Sequence, residues 1–393
     1  MLVLGFMCNL IKKYRSVFFV FGFLLLTVQG SMAQLQVQGA DKPPYDPVNL
    51  INDVFLGSGV SVLAVKYEGE NHAVGYFDYA DNQTGINRGI VMSTGRAEFA
   101  QRPNIESNFS SFSSGNKFSD ADLIKALGLD PTTPEIVRDL ARYEITFIPH
   151  ADSLRFRYVF ASEEYPKYSC SQFKDVFGFF ISGPDPNGGD YQSKNIALVP
   201  GSGEVVSIST VNNGDPSTLN CKPKNGHLYN DNSGSLFMTY NAFLDVFTAS
   251  VKVVPCQTYT IKLSLSDIAD DLYDSAVFLE AKSFTTNEVS VDIKTFAPDG
   301  NIAEGCQPAV VSFKFNNVLD EPYDLDLKIL ENYPNFVLST DQLDYTGIPA
   351  NLSIPSGQKE AVFSIQPIPD HLNEGLEWIA LEYQKNLCQR DTD

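Results

Sequence analysis

The stretch Leu154-Arg-Phe-Arg-Tyr-Val-Phe-Ala-Ser-Glu-Glu-Tyr165 decides the fold prediction for this chain. Its first half alternates large apolar side chains with arginines, which is the period of two of a strand in a sheet with one wetter face. Its second half ends in two adjacent carboxylates, Glu163 and Glu164, which repel each other unless a cation lies between them. The stretch therefore predicts a β-strand that brings acidic groups to its end.

Similar short apolar runs recur along the chain between Gly, Asn and Asp turn signals. They cover residues 60–67, 73–79, 89–92, 143–149, 176–181, 205–211, 246–254, 258–265 and 276–284. Many short strands between turns indicate a mainly β protein whose main domain is a β-sandwich of the jelly-roll kind. Two short helices are expected, at residues 121–127 with Ser119 as the cap, and at residues 134–141.

The first 33 residues have the pattern of a signal peptide. Lys12, Lys13 and Arg15 precede an apolar run, and Ser31-Met-Ala33 offers a small-x-small cleavage site. The apolar run is shorter than the ~20 residues that a membrane-spanning helix needs. We therefore expect an exported chain with no transmembrane segment after cleavage, either secreted or on the outer cell surface.

The mature chain is expected to contain two β domains. A polar linker at residues 34–48 precedes a main β domain at residues 49–286. A smaller β-sandwich at residues 289–393 follows, since about a hundred residues suffice for one such unit. No closing strand follows the last cysteine, so we expect this second domain to be truncated.

The net charge of −20 limits the partners of the chain. Nucleic acids and anionic membrane surfaces both require a basic face, and loss of the signal peptide would make the chain still more acidic. We expect no nucleic-acid partner.

The cysteines indicate disulfide bonds, which an extracellular compartment permits. We expect Cys170 to pair with Cys221, and Cys306 with Cys388, so that Cys256 is left over. Buried free thiols are the alternative, because sequence does not fix connectivity. No cysteine lies in a C-x-x-C motif, so a zinc site is not expected.

Carboxylates cluster at the ends of predicted strands in the main domain. The candidate metal ligands are Glu163, Glu164, Asp175, Asp267, Asp270, Asp271 and Asp274. Calcium prefers six to eight oxygen ligands, which loops at strand ends can supply, and the spacing does not match an EF-hand. Two interpretations stay open: a calcium site, or side chains that cap turns and bind backbone N–H groups.

A further interpretation of the same carboxylates is that they are the acid and base of a glycoside hydrolase, in which two carboxyl groups lie ~5–10 Å apart. Adjacent residues of a strand point to opposite faces, so Glu163 and Glu164 cannot both face one glycosidic bond. Asp175 or Asp274 would be needed as the partner. The sequence also lacks a Gly-x-Ser-x-Gly nucleophile elbow, and we expect that the chain is not an enzyme.

Several ordered motifs resemble the choice-of-anchor L domain family of bacterial secreted and surface proteins, over residues 48–284. Besides the opening stretch, the motifs are Ala73-Val-Gly-Tyr-Phe77, Gly89-Ile-Val-Met-Ser-Thr-Gly95, Phe147-Ile-Pro149, Asp175-Val-Phe-Gly-Phe-Phe-Ile-Ser-Gly183, Asn195-Ile-Ala-Leu-Val-Pro-Gly201 and Tyr273-Asp-Ser-Ala-Val-Phe-Leu-Glu280. The resemblance implies delivery to the cell surface or beyond it.

The second domain is similar to Calx-β modules. The motifs that carry the similarity are Ala303-Glu-Gly305, Asp344-Tyr-Thr-Gly347, Ile354-Pro-Ser-Gly-Gln358 and Ile368-Pro-Asp-His-Leu-Asn-Glu-Gly-Leu-Glu377. The resemblance implies that Glu304, Asp344, Asp370, Glu374 and Glu377 lie near positions that bind calcium in some members.

Taken together, these patterns predict a secreted or cell-surface protein that acts as a structural, adhesion-type interaction module stabilised by calcium. The expected partner is an extracellular protein or glycan. Two alternatives stay open, namely a carbohydrate-binding jelly-roll module and a carboxylate-based glycoside hydrolase.

Overall fold

A computed structural model describes residues 35–104, 120–128, 137–171, 175–234, 237–268, 273–286, 289–296, 302, 307–315, 318–319, 322–334, 336–369, 377–386 and 389–392. All of them belong to one compact unit, Ala33–Asp393. The predicted signal peptide lies outside the described residues. No helix among the described residues is long and apolar enough to cross a membrane.

The chain up to residue 286 is dominated by β-strands. They are β1 (Gln36–Gly39), β2 (Val60–Glu68), β3 (Val74–Asp78), β4 (Arg88–Ser93), β5 (Val137–Pro149), β6 (Ser153–Ser162), β7 (Val176–Pro184), β8 (Asp190–Asn195), β9 (Tyr229–Asp231), β10 (Ala242–Leu244), β11 (Phe247–Lys252), β12 (Tyr259–Ile268), β13 (Ser275–Glu280) and β14 (Thr285–Thr286). The predicted mainly β fold class is confirmed.

Within the described part of the chain, these strands form two antiparallel sheets. One sheet has the order β1-β3-β4-β13-β6-β10-β9, with β11 and β14 also paired to β6. The other has the order β2-β5-β12-β7-β8. Strand β1 pairs with β3, so the segment predicted as a linker contributes a strand to the first sheet.

The two sheets pack face to face through aromatic side chains, which gives the predicted sandwich. Phe156 and Tyr158 of β6 lie 4.9 and 5.0 Å from the ring of Phe179 on β7. Phe160 stacks on Phe177 at 5.1 Å. These residues alternate along their strands, as the period of two predicts, and rings at such distances stabilise the core beyond simple burial.

The helices are short. They comprise α1 (Pro47–Asn49), a π-helical turn (Leu50–Phe55), 3-10 turns (Asn71–Ala73, Ala97–Gln101 and Gly226–Leu228) and α2 (Ala121–Ala126). Helix α2 is confirmed, but its cap is Asp120, whose carboxylate accepts from the N–H groups of Asp122 and Leu123. The second expected helix is wrong, because β5 begins at Val137. Pairing of residues 137–141 with β12 outweighs the local helical preference there.

The chain after residue 288 forms smaller sheets. Their strands are β15 (Val289–Lys294), β16 (Ala309–Phe315), β17 (Tyr323–Asp326), β18 (Lys328–Ile329), β19 (Tyr345–Thr346), β20 (Asn351–Ile354), β21 (Glu360–Pro367), β22 (Leu381–Asn386) and β23 (Gln389–Thr392). A separate apolar core, with Phe313 at its centre, contacts Phe363 and Tyr383. The expectation that no strand follows the last cysteine is wrong, because β23 lies after it and pairs with β22. The boundary between two domains at residues 286–289 stays a prediction.

The predicted disulfide between Cys170 and Cys221 is present, with an S–S distance of 2.05 Å. The expectation that Cys256 is left over is wrong, because this cysteine is also disulfide-bonded. Its partner lies outside the described residues, as do Cys306 and Cys388. Spacing alone does not show which loops approach one another in space, and connectivity depends on that approach.

Candidate functional site

Five of the predicted ligands meet at one end of the sandwich, and we call them the acidic cluster. They are Glu163 and Glu164 after β6, Asp175 before β7, Asp267 near the end of β12 and Asp274 before β13. Strand β6 ends at Ser162, so the alternation that was expected to separate the two glutamates no longer applies beyond it. Both glutamates are buried.

Strand register explains why these carboxylates face each other in pairs. In one sheet, Ser266 pairs with Val176, which places Asp267 opposite Asp175. In the other sheet, Ser275 pairs with Ser162, which places Asp274 opposite Glu163. The backbone N–H of Glu163 donates to the carbonyl of Asp274 at 3.0 Å. Like charges directly across a strand pair are destabilising, so each sheet brings one unfavourable pair.

Hydrogen bonds connect the two sheets at this end. Ser275, on the first sheet, donates from Oγ to Oδ2 of Asp175 on the second sheet at 2.6 Å. In return, the N–H of Asp175 donates to Oε2 of Glu164 at 3.2 Å. The two pairs of carboxylates therefore belong to one buried site that lies between the sheets.

Burial changes the acidity of these groups. It raises the pKa of Glu163 to about 8, against weaker opposing effects from the Thr239 hydroxyl and the charge of Arg102. Burial also raises the pKa of Asp175, Asp267 and Asp274 well above the ordinary value, and negative neighbours within the site add to each shift. The folded protein therefore favours protonation of the site or its neutralisation by a cation.

Asp267 is the least satisfied member of the acidic cluster. Its side chain is 1% exposed, and neither carboxylate oxygen makes a hydrogen bond of good geometry within the described residues. The carboxyl group of Asp175 nevertheless lies within hydrogen-bonding reach of Asp267, and this contact opposes the rise in the pKa of Asp175. The hydroxyl of Thr94 lies close enough to oppose the rise in its pKa, but only weakly. Oε2 of Glu163 is likewise buried and unpartnered in the described structure. Such atoms are costly unless another group satisfies them.

A second buried aspartate in the same sandwich, Asp120, has hydrogen-bond donors on both of its carboxylate oxygens. Asp120 accepts from Lys262 Nζ at 2.6 Å, from Ser264 Oγ at 2.8 Å and from Arg142 at 3.2 Å. Although burial acts to raise the pKa of Asp120, Lys262 and the other donors lower it overall. Within the described part of the chain no cation forms an ion pair with Asp267, although Arg138 is its partner in the register of β5 and β12.

The described part of the acidic cluster is not a preformed metal centre. No three His, Cys, Asp or Glu side chains among the described residues are placed to hold one metal ion. The oxygen-only donor set suits a hard cation such as calcium, and the unpartnered oxygens of Asp267 and Glu163 are available for one. A bound ion would therefore require side chains of the cluster to rotate towards it.

The remaining predicted ligands do not join this site in the described structure. Asp270 and Asp271 lie outside the described residues, as do Glu304, Asp370 and Glu374. Asp344 accepts a hydrogen bond from the N–H of Thr340, which is a turn-stabilising role. Glu377 is half-buried and takes part in no described acidic group that could hold a metal.

Several residues of the site were not found from the sequence. Thr239 donates to Oε1 of Glu163 at 2.9 Å, and Thr94 accepts from the N–H of Ser275 at 3.0 Å. Asp139 lies close enough to raise the pKa of both Asp267 and Asp274. Hydroxyl residues carry no distinctive spacing, and Asp139 fell in the segment wrongly expected to be helical.

Comparisons with known proteins give one informative match. The family described as the choice-of-anchor L domain matches residues 38–285. No curated protein matches the chain. The similarity of the tail to Calx-β modules is not confirmed.

Two solved structures share weak similarity with the chain, and both are GH2 beta-galacturonidases from Eisenbergiella tayi. The one bound to galacturonate is 11% identical with a TM-score of 0.19, covering 65% of this chain and 34% of that chain. The one bound to glycerol is 10% identical with a TM-score of 0.18, covering 64% of this chain and 33% of that chain. The chain thus spans about a third of their length, and at these TM-scores the likeness carries no argument.

Proposed function

Because the chain belongs to the choice-of-anchor L domain family, which points to a secreted or surface-associated protein, we propose that it is a structural, adhesion-type interaction module. A rigid sandwich presents loops to an extracellular protein or glycan. Calcium bound at the acidic cluster stiffens one end of that sandwich. The module has no catalytic role in this proposal.

The observation that supports calcium is the pair of unpartnered oxygens of Asp267, which faces Asp175 across the sheet. Asp175, Asp267, Asp274 and Glu163 would hold the ion, and both sheets would contribute ligands. The ion would supply positive charge where burial and neighbouring acids now disfavour ionisation of the carboxylates. Because it binds the folded state selectively, it would raise the free energy of unfolding.

Thermal unfolding of the purified chain tests this proposal directly. We expect the melting temperature to be higher in calcium than in chelator at low salt, with magnesium giving a smaller rise because it demands a stricter geometry. Equal melting temperatures in calcium and in chelator would refute the calcium part. Sodium at matched ionic strength controls for general screening of the net charge of −20.

Burial argues against the hydrolase alternative. All five carboxylates of the acidic cluster are at most 6% exposed, so a glycosidic bond would not reach them in this conformation. The alternative predicts turnover of a glycan that disappears in Glu163→Gln while the variant still folds. Absence of turnover on a panel of glycans would agree with a binding role.

A further inference from the structure

Three aromatic rings lie together on the surface of the chain after residue 288. The ring centroids of Phe336 and Trp378 are 5.0 Å apart, and those of Phe336 and Tyr333 are 5.6 Å apart. Trp378 is 48% exposed, Phe336 is 42% exposed, and Val337 beside them is 64% exposed. We call these four residues the aromatic patch. Contiguous exposed apolar surface on a soluble protein is typical of an interaction site.

Backbone hydrogen bonds hold the aromatic patch in place. The N–H of Trp378 donates to the carbonyl of Val337 at 2.9 Å, and the carbonyl of Trp378 accepts from the N–H of Ser339 at 2.9 Å. The N–H of Phe336 donates to the carbonyl of Tyr333 at 3.2 Å, which closes a turn. The backbone that carries the rings is therefore fixed before a partner binds, and this lowers the entropy cost of binding.

The segments that carry the aromatic patch are acidic. Residues 330–345 and 377–380 contain no lysine, arginine or histidine. Their acidic residues are Glu331, Asp341, Asp344 and Glu377. Glu331 is exposed and Glu377 is half-buried, and neither forms an ion pair within the described part of the chain. Cations of this chain lie over other aromatic rings, but among the described residues none lies over a ring of the aromatic patch.

Two other occupants fit the aromatic patch less well. The planes of Phe336 and Trp378 meet at 81°, and those of Tyr333 and Phe336 at 49°. The rings therefore do not form one flat platform on which successive sugars of a glycan could stack. A second copy of the chain would bring the same acidic residues and a further net charge of −20 to the interface, so the two copies would repel each other.

We propose that the aromatic patch binds a basic segment of a partner protein, with lysine or arginine side chains against its rings. A cation is attracted to the negative face of an aromatic ring, and most strongly to that of tryptophan. The carboxylates of Glu331 and Glu377, close to the rings along the chain, steer a basic partner towards them. This inference rests on the proposed role of the chain as an interaction module, and it adds the chemistry of the partner.

Tryptophan fluorescence tests the proposal, because Trp378 is the only tryptophan of the chain and reports on this patch alone. The full chain is titrated with hexaarginine, hexalysine, hexaglutamate and neutral maltohexaose. We expect a saturable change in fluorescence with one or both basic peptides, and an affinity that falls as salt is raised. Hexaglutamate and maltohexaose should give no change. No response to either basic peptide, or an equal response to maltohexaose, would overturn the proposal.

Substitutions separate recognition by the rings from general attraction by charge. Trp378→Leu removes the ring but keeps an apolar side chain and the net charge, so calorimetry should show about tenfold weaker binding of the basic peptide. Phe296→Leu is the matched control, because its ring is 55% exposed but already lies 5.7 Å from Lys294 Nζ, and it should leave the affinity unchanged. If Trp378→Leu binds as tightly as the wild type, net charge alone attracts the peptide and the assignment to the aromatic patch is wrong.

Sedimentation of the chain without peptide tests the second-copy alternative. We expect a monomer, whereas a dimer that Trp378→Leu dissociates would assign the aromatic patch to self-association and refute the proposal. The calcium response of the melting temperature is measured on the same samples. Loss of peptide binding with a retained calcium response would reject the aromatic patch alone, and peptide binding without a calcium response would reject the calcium site alone.

Discussion

Replacement of Asp267 with asparagine should stabilise the calcium-free protein. The side chain faces Asp175 across the sheet, is buried, and has no hydrogen-bond partner of good geometry among the described residues. Two unit charges ~5 Å apart repel by about 3 kcal/mol at an effective dielectric constant of ~20. Burial of the asparagine amide without good hydrogen bonds costs about 1 kcal/mol, which reduces the benefit of removing this repulsion. We therefore expect Asp267→Asn to gain about 2 kcal/mol at a pH at which both carboxylates of the wild type are ionised, and less at lower pH, where protonation already relieves the repulsion.

The assay is thermal unfolding of the wild type and of Asp267→Asn at a series of alkaline pH values, in chelator and in calcium. A gain of about 2 kcal/mol corresponds to a rise of about 4–8 °C in melting temperature for a domain of this size. In calcium the order should be reversed, because the wild type gains about 3 kcal/mol at a hundredfold excess over the dissociation constant. The variant lacks the ligand and should gain little.

Asp120→Asn is the matched control. Asp120 is equally buried but is neutralised by Lys262 and Arg142. Removing one partner of a buried ion pair costs about 3–5 kcal/mol, so this variant should be less stable in chelator and in calcium alike. If Asp267→Asn is destabilised in chelator as strongly as Asp120→Asn, the argument from unrelieved repulsion is refuted. A calcium response retained in Asp267→Asn would instead remove Asp267 from the ion site.

Three further predictions follow from the described contacts. Burial raises the pKa of Glu163 from 4.5 to about 8, so the folded state binds more protons than the unfolded state between these two pH values. The free energy of unfolding of the chelated protein should therefore fall as the pH rises from 4.5 to about 8, which urea midpoints at several pH values would show. Cys170→Ser with Cys221→Ser opens a bond that spans 51 residues and should cost about 4 kcal/mol, provided that an unchanged denaturant slope shows the folded state is retained. Phe284→Ala, which removes ring contacts at 5.3 Å to both Phe55 and Phe147, should cost about 3–5 kcal/mol; a loss below 1 kcal/mol would contradict this packing.

Local patterns predicted most of the strands, because a period of two needs only a sheet with one apolar face. The alternation of Leu154, Phe156, Tyr158 and Phe160 is found in β6 with all four side chains buried. The expected strand at residues 205–211 forms turns with isolated bridges instead. Apolar content does not distinguish a strand from a loop that packs against the core.

The bulge at residues 280–284 could not be predicted from spacing. Arg155 and Arg157 were expected simply to face solvent on the wetter side of β6. The bulge beside them exists because residues 280–284 connect two stretches that both pair with β6, and Glu280 at its start binds Arg157. A bulge depends on the register of strands more than a hundred residues apart, and no local signal specifies it.

The sequence alone determined that carboxylates follow the ends of β6 and β12, since the order of residues along the chain is enough to show acidic residues directly after apolar runs. Only the tertiary structure decided that Glu163 faces Asp274 and that Asp267 faces Asp175, because each pairing depends on strand register. Packing of the two sheets then buried both pairs in one site. Burial removes water from the carboxylates, and that desolvation, rather than residue type, gives the acidic cluster its raised pKa values.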